Sequence, residues 1–181
     1  VGPLVGQRVA VIGAGGIGFD VAEFLVSGGH SVAQDKAGWR REWGVGDPAD
    51  VAGGLVEAKP GPAARQVWLL QRKNEKLGRH LGKTTGWIHR AALQMKGVKM
   101  IGGVTYLGIE AGGLLISRDG QEELLKVDQV VLCAGQVPER GLADQLKAAG
   151  IAAHVIGGAD VAAELDAKRA IDQGARLAAG F

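Results

Sequence analysis

The sequence predicts an α/β fold that combines a parallel sheet, an antiparallel β-meander and a C-terminal strand and helix. The parallel sheet follows from two observations: a short apolar run that ends in a glycine-rich segment, and the helical pattern that begins directly after it. The meander follows from a third, the alternation of apolar and polar residues over 104–127 around Gly112-Gly113 and Asp119-Gly120.

The first half of the chain predicts a strand, a helix, a long insertion and then a second strand. Residues 8–12 form a buried strand, and residues 16–27 a helix that Gly28-Gly29 end. We expect one apolar stripe on this helix, made of Ile17, Val21, Phe24 and Leu25. Residues 33–64 are rich in glycine and proline and predict an insertion, in which Trp39 and Trp43 share one face of a short helical turn.

The second half continues with alternating strands and helices. The second strand is expected at residues 66–71 and is followed by a helix over 84–96, capped by Thr84 or Thr85. Beyond it the expected elements are a strand over 98–101, the meander, a buried strand over 128–133, a helix near 141–149, a strand near 152–156 and a helix from about 160 to 178.

Composition excludes several classes of protein. The chain has 181 residues, of which 46% are apolar, which suits one domain with an appendage. Its formal net charge is +2 and no basic patch is interleaved with aromatic residues, which argues against nucleic-acid binding. No run reaches the 18 or so apolar residues of a membrane helix, and no signal peptide is evident. A single cysteine, Cys133, excludes an internal disulfide and a cysteine-only metal site. We therefore expect a cytoplasmic protein.

The glycine-rich segment predicts a dinucleotide site. Gly13-Ala14-Gly15-Gly16-Ile17-Gly18 matches Gly-x-Gly-x-x-Gly between a predicted strand and a predicted helix, as in Rossmann-like folds. Gly13 permits the tight turn, Gly15 lets the backbone approach a pyrophosphate, and Gly18 lets helix and strand pack closely. The helix N-terminus offers N–H groups to the phosphates. The alternative is a glycine-rich turn without a ligand.

The end of the second strand predicts which dinucleotide binds. An NAD site has an acidic residue about 20 residues beyond the turn, at the end of that strand. Asp35 has this spacing but lies in a poor strand, whereas Arg72 and Lys73 directly follow the strand that ends at Leu70-Gln71. A cationic pair favours the 2′-phosphate of NADP(H). The candidate auxiliary cations are Lys76, Arg79 and Lys83. The alternative is a solvated basic loop.

Six segments together resemble one family of enzymes. They are Gly13–Asp20, Leu70–Lys73, Leu81–Arg90, Gly97–Ile101, Val131–Gln136 and Ile156–Val161. Through them the chain resembles the NADPH-binding region of bacterial 2,4-dienoyl-CoA reductases over nearly its whole length. The stretch Lys83–Arg90 is the most specific, and the match is weakest within residues 45–63.

This resemblance implies a longer flavoenzyme. It has an FMN-bearing barrel, a 4Fe-4S cluster, an FAD domain and this NADPH domain, and electrons run from NADPH to FAD, through the cluster to FMN and then to the dienoyl-CoA. Residues 134–138, which include Ala134, Gly135 and Gln136, resemble the point where the chain leaves the NADPH domain. Residues 155–160, which include Gly158 and Asp160, resemble the later motif whose aspartate reaches FAD. Asp20 takes an acidic position near the nicotinamide, where several relatives have Glu.

We therefore expect two parts, an NADP(H)-binding domain over residues 1–149 and a C-terminal fragment of the FAD domain over residues 150–181. The first FAD motif, the cluster cysteines and the barrel are absent, so the expected partners are the missing FAD and FMN-barrel domains, and the fragment alone is expected to be inactive. The tail carries an apolar stripe of Val161, Leu165, Ile171 and Leu177. We expect it to pack on its own domain or on the same tail of a second copy in a homodimer.

The sequence also allows three alternative functions to be compared with the residues that each would require. A short-chain dehydrogenase needs Tyr-x-x-x-Lys, but the only tyrosine, Tyr106, is followed four residues on by Glu110. A non-catalytic nucleotide-binding module would lack the segment Val155–Asp160. The NADPH domain of a related flavoenzyme that reduces other enoyl compounds remains an alternative. Asp160 alone is also compatible with a helix N-cap, and the segment Trp87–Arg90 with a structural role.

Overall fold

A computed structural model describes residues 5–28, 34–163 and 165–180. It divides into two compact units, Val1–Ala134 and Gly135–Phe181. In the described residues no helix is both long and apolar enough to cross a membrane.

A four-stranded parallel sheet forms the centre of the first unit. Its strands are β1 (Arg8–Ile12), β2 (Gln66–Leu70), β3 (Lys99–Ile101) and β7 (Gln129–Leu132), in the spatial order β3-β2-β1-β7. Ile12 lies opposite Leu70 on one side and Leu132 on the other, so the carboxyl ends of these three strands share one edge. The two inner strands are apolar and buried from their second residue onward, as strands covered on both faces must be.

Each face of this sheet is covered by a different layer. Helices α1 (Gly16–Ser27) and α3 (Gly86–Met95) pack on the face that carries Val9 and Val11. The meander packs on the face that carries Ala10 and Ile12; its strands are β4 (Thr105–Glu110), β5 (Gly113–Arg118) and β6 (Gln121–Leu125). Because successive residues of a strand point to opposite faces, one short apolar run contributes to both cores.

The predicted apolar stripe of α1 is wrong in part. The buried residues of this helix include Phe19, Ala22 and Leu25, whereas Ile17 and Phe24 are 55% and 64% exposed. The helix packs on the sheet through the face centred on Phe19 and Ala22, because Gly18 must lie close to the Gly13 carbonyl. Gly28 ends the helix in the left-handed conformation, as predicted.

Two further elements differ in detail from the prediction. The helix α3 begins at Gly86, and Thr85 stands at its N-cap position without a side-chain capping bond. The strand β7 is only half-buried, with Leu132 at 73% exposure, because it is the edge strand of the sheet.

The predicted insertion is a folded lobe. Asp35 caps its helix α2 (Lys36–Trp43) by accepting a hydrogen bond from the Gly38 N–H. The rings of Trp39 and Trp43 stack with their centroids 6.3 Å apart, which confirms that they share a helical face. The lobe is joined to the residue after α3 by Lys96, whose Nζ lies 3.1 Å from Glu42 Oε1 and donates to the Gly61 carbonyl.

The second unit contains α4 (Gly141–Ala148) and α5 (Ala167–Ala178). Residues 151–156 form no strand, so the predicted strand near 152–156 is wrong. The last helix starts at 167 and not near 160, because Asp166 caps it by accepting from the Arg169 N–H. Val161 and Leu165 therefore precede the helix on which they were expected.

Candidate dinucleotide-binding site

The glycine turn connects β1 to α1 at the carboxyl edge of the sheet. Gly13 has a φ of 110° and donates its N–H to the Leu70 carbonyl at 2.9 Å. A Cβ at Gly13 would overlap the Cys133 carbonyl, and a Cβ at Gly18 would overlap the Gly13 carbonyl. These two glycines therefore allow the turn to pack between strand and helix, as the motif predicts.

Gly15 and Gly16 face open space instead. A Cβ at either position would meet no other heavy atom within 4 Å. The first backbone bond of the helix runs from Phe19 N–H to the Gly15 carbonyl, and Gly15 offers no capping side chain. The N–H groups of the first helical turn are thus left for an outside acceptor. A pyrophosphate fits this cradle, which a side chain at Gly15 would fill.

A cationic loop leaves the adjacent strand β2 at the same edge. It contains Arg72 and Lys73, which are both exposed. The side chain of Gln71 holds the loop, since its Nε2 donates to the Lys73 carbonyl at 2.9 Å and to the Glu75 carbonyl at 2.7 Å. The loop is therefore tied to its own strand end rather than extended into solvent.

The loop also rests on the residues after β3. Gly103 N–H donates to the Lys73 carbonyl and Val104 N–H to the Gln71 carbonyl, each at 3.1 Å. A Cβ at Gly102 would lie 3.1 Å from the Lys73 oxygen, closer than nearly all real contacts of this kind. Glycine is thus the residue that lets these two segments approach. The backbone that carries Arg72 is fixed from both sides.

The charges of this loop are distributed unequally. Glu75 pairs with Arg79 Nη1 at 3.1 Å and lies 3.6 Å from His80 Nε2. Among the described residues, neither Arg72 nor Lys73 has an ion-pair partner. Both cations are therefore available to an anion, whereas Arg79, a predicted auxiliary, is occupied.

Asp35 does not take the place of the acidic residue of an NAD site. The strand that pairs with β1 is β2, with Ile12 opposite Leu70, so the position beyond that strand belongs to Arg72. The carboxylate of Asp35 caps α2 in the insertion lobe. The structure thus juxtaposes the glycine turn with two cations at the ends of adjacent strands.

The remaining predicted site residues fall in both units. Asp20 is exposed on α1, one residue after Phe19, and Lys83 is exposed in the turns that precede α3. Ala134 follows β7 at the end of the first unit, while Gly135 and Gln136 open the second and are exposed. Gly158 and Asp160 lie in and after a short 3-10 turn, Gly157–Ala159, of the second unit.

A family model identifies the family of this chain. The model of the pyridine nucleotide-disulphide oxidoreductases matches residues 2–169. The chain belongs to this family. The family's name specifies pyridine nucleotides, the class of ligand that the glycine turn predicts.

Two solved structures share the fold of this pyridine nucleotide-disulphide oxidoreductase domain. A complex of 2-naphthoyl-CoA reductase with 2-naphthoyl-CoA matches with a TM-score of 0.66 and 18% identity over 97% of this chain and 21% of that one. Histamine dehydrogenase from Rhizobium sp. 4-9 matches with a TM-score of 0.61 and 19% identity over 97% of this chain and 23% of that one. The domain spans less than a quarter of the length of either structure.

The Asp160 carboxylate is held by a network within the second unit. Gln173 Nε2 donates to Asp160 Oδ2 at 2.8 Å, while Gln173 Oε1 accepts from the Gly157 N–H at 2.7 Å. Arg140 donates to the carbonyls of Ala159 and Asp160 at 3.0 and 2.6 Å. The N-cap role considered for Asp160 is wrong, since Asp166 caps α5.

Residues near α3 have partners within the protein. His89 Nδ1 lies 3.4 Å from Glu23 Oε2 and so links α3 to α1. Arg90 donates to the Gly78 carbonyl at 3.0 Å, which supports the structural interpretation for this side chain. Trp87 is 58% exposed. In the described part of the chain no cluster of three or more His, Cys, Asp or Glu side chains is suited to a metal.

The residues that support the cationic loop were not predicted from the sequence. These are Gln71, Gly102 and Gly103, which are brought to it by the parallel pairing of β2 with β3. The glycine pair Gly102-Gly103 after β3 was the one signal of them in the sequence.

Burial raises the pKa of the Tyr106 phenol, and the nearby charge of Arg72 opposes this shift. Burial likewise raises the pKa of the Cys133 thiol, which argues against a reactive thiolate.

Proposed function

We propose that this domain binds NADP(H) in a flavin-dependent oxidoreductase that resembles bacterial 2,4-dienoyl-CoA reductases. It delivers the hydride of NADPH to FAD, and the longer protein uses the electrons to reduce an unsaturated acyl-CoA. One observation carries the proposal: an open glycine cradle and a loop with two cations, Arg72 and Lys73, that have no ion-pair partner among the described residues lie at the ends of adjacent parallel strands.

Each half of this arrangement fits one part of the cofactor. The cradle at Gly15 accepts the pyrophosphate through the free N–H groups of the helix N-terminus. The adenosine end then lies toward β2, where Arg72 binds the 2′-phosphate with its planar guanidinium and Lys73 adds a point charge. NADPH supplies the hydride, and the protein holds and orients it.

The substrate class rests on the resemblance and on one neighbour in fold. The segment Lys83–Arg90 is the most specific part of the resemblance to 2,4-dienoyl-CoA reductases. 2-Naphthoyl-CoA reductase, whose name also specifies a CoA thioester, shares the fold over nearly this whole chain. We propose that the longer protein also holds FMN and a 4Fe-4S cluster, and that Asp160 belongs to the closing edge of its FAD site.

The first test is titration calorimetry of the chain with NADPH and with NADH. A charge-assisted hydrogen bond contributes about 1.5–3 kcal/mol, so NADPH should bind roughly tenfold or more tightly. Arg72→Ala should abolish most of this preference. Lys168→Ala, which removes the same charge from exposed α5, should leave it unchanged. Equal affinity for both cofactors in the unmodified chain contradicts the proposal.

The second test concerns the division of labour with the rest of the enzyme. The purified chain should retain no flavin absorbance and should not oxidise NADPH in the presence of a dienoyl-CoA. Flavin retention with NADPH-dependent turnover contradicts the assignment of both tasks to other domains.

A further inference from the structure

Tyr106 carries a buried hydroxyl without a partner. It is the single tyrosine of the chain, and among the described residues its Oη makes no hydrogen bond although it is inaccessible to solvent. Buried polar side-chain atoms nearly always have a partner, so this one requires an explanation.

The position of Tyr106 connects it to the cationic loop. It lies opposite Ile116, a fully buried residue of β5, and packs with it against the core beneath the parallel sheet. The chain reaches Tyr106 directly from Gly103 and Val104, the two residues that bind the loop backbone. Arg72 follows Gln71, whose carbonyl accepts the Val104 N–H at 3.1 Å, and its charge opposes the rise that burial causes in the pKa of the phenol.

We propose that Tyr106 is a positioning residue for Arg72 in recognition of the cofactor 2′-phosphate. A guanidinium has five N–H donors, and a phosphate occupies two of them in a bidentate pair. One of the remaining donors of Arg72 then meets the phenol oxygen, which fixes the plane of the guanidinium toward the phosphate. This inference rests on the proposed NADP(H) site and names one of its specificity determinants.

The proposal predicts opposite effects of one substitution on folding and on binding. Tyr106→Phe removes a hydroxyl that is unsatisfied in the unliganded protein, so thermal stability should be equal or higher. The same substitution removes the acceptor for Arg72, so affinity for a 2′-phosphate should fall. A residue that only fills the core would not change these two properties in opposite directions.

The experiment is calorimetry with adenosine 2′,5′-bisphosphate and, as the matched ligand, adenosine 5′-monophosphate. In Tyr106→Phe the affinity for the bisphosphate should fall roughly tenfold or more, the effect of one hydrogen bond to a charged group, with no change for the monophosphate. The effect should vanish when Arg72→Ala is already present, because the two residues act together. Thr105→Val, which removes an exposed hydroxyl from the preceding residue, is the control and should change neither affinity.

A spectroscopic measurement tests the contact without a variant. Tyrosine labelled with carbon-13 at Cζ gives a single resonance, because the chain has one tyrosine. The bisphosphate should shift this resonance in the unmodified chain and should shift it much less in Arg72→Ala at saturating ligand.

The outcomes separate this inference from the proposed function. If the unmodified chain does not prefer the bisphosphate, the NADP(H) assignment itself fails. If it does, but Tyr106→Phe binds both ligands as before or loses affinity for both equally, the site stands and the role of Tyr106 is refuted. An unshifted Cζ resonance at saturation refutes it as well.

Discussion

Gly15→Ala and Gly18→Ala change two glycines of the same turn, but we expect the first to affect ligand binding and the second to affect stability. At Gly15 the backbone has φ −82° and ψ −174°, which alanine adopts freely, and the added Cβ meets no other heavy atom within 4 Å. At Gly18 the added Cβ would overlap the Gly13 carbonyl oxygen and lie 2.9 Å from its carbon. Gly15→Ala is therefore a change to the ligand side, and Gly18→Ala a change to the packing.

The expected magnitudes follow from these contacts. Gly15→Ala should alter the free energy of unfolding by less than about 1 kcal/mol, because a gain in backbone entropy offsets a poorer N-cap. It should weaken NADPH binding roughly tenfold or more, since the methyl group occupies the approach of the pyrophosphate. Gly18→Ala should cost about 1–3 kcal/mol or more in stability, because the overlap is with backbone.

Thermal unfolding and NADPH titration of both variants measure the two effects. For a chain of this size each kcal/mol corresponds to about 2–4 °C in Tm. Gly108→Ala, at a position in β4 with open space around its Cβ, is the control and should change neither property. If Gly15→Ala binds NADPH as tightly as the unmodified chain, the pyrophosphate does not lie on this turn. If Gly18→Ala melts like the unmodified chain, the close packing of helix and turn is wrong.

Three further predictions concern other parts of the chain. Lys96→Met should cost about 1–3 kcal/mol and speed proteolysis within residues 45–63 without changing NADPH affinity, because Glu42 loses its half-buried partner; unchanged proteolysis contradicts the role of this pair. The hydrogen bond from Arg8 lowers the pKa of Asp128 below its ordinary value, so the stability it contributes is present above the ordinary pKa and is lost as the pH falls through the lowered pKa. Asp128→Asn should therefore show a lower Tm at neutral pH and a smaller decline in acid, and parallel Tm–pH curves would refute this. Deletion of residues 150–181 should leave NADPH affinity intact and reduce self-association in gel filtration; loss of binding in a folded product would show that the tail is part of the site.

Local sequence determined the elements that carry the nucleotide turn. The apolar run of β1 ends at Gly13, whose φ of 110° allows the chain to turn there. This glycine therefore both ends the buried strand and begins the turn. The predicted bounds of β1 and α1 are confirmed for this reason, and so is the hairpin at Asp119-Gly120, where both residues have positive φ. In each case the decisive constraint lies within a few neighbouring residues.

The sequence was less informative where burial depends on distant partners. An apolar residue on α1 is compatible with either helix face, and only the position of the sheet decided that Phe19 is buried while Phe24 is exposed. The segment 151–156 is apolar enough for a strand, but a strand needs a neighbour to pair with, and it has none in the described structure. Such choices depend on contacts that local propensity does not contain.

The site shows the same division. The sequence by itself determined which groups could bind a dinucleotide, because Gly-x-Gly-x-x-Gly and the pair Arg72-Lys73 are chemical signatures of phosphate binding. Only the tertiary structure decided that they lie at one edge, because the order β3-β2-β1-β7 brings together the ends of β1 and β2, which are more than fifty residues apart in the chain. It also placed Tyr106 opposite Ile116, packed against the core that lies between the meander and the parallel sheet.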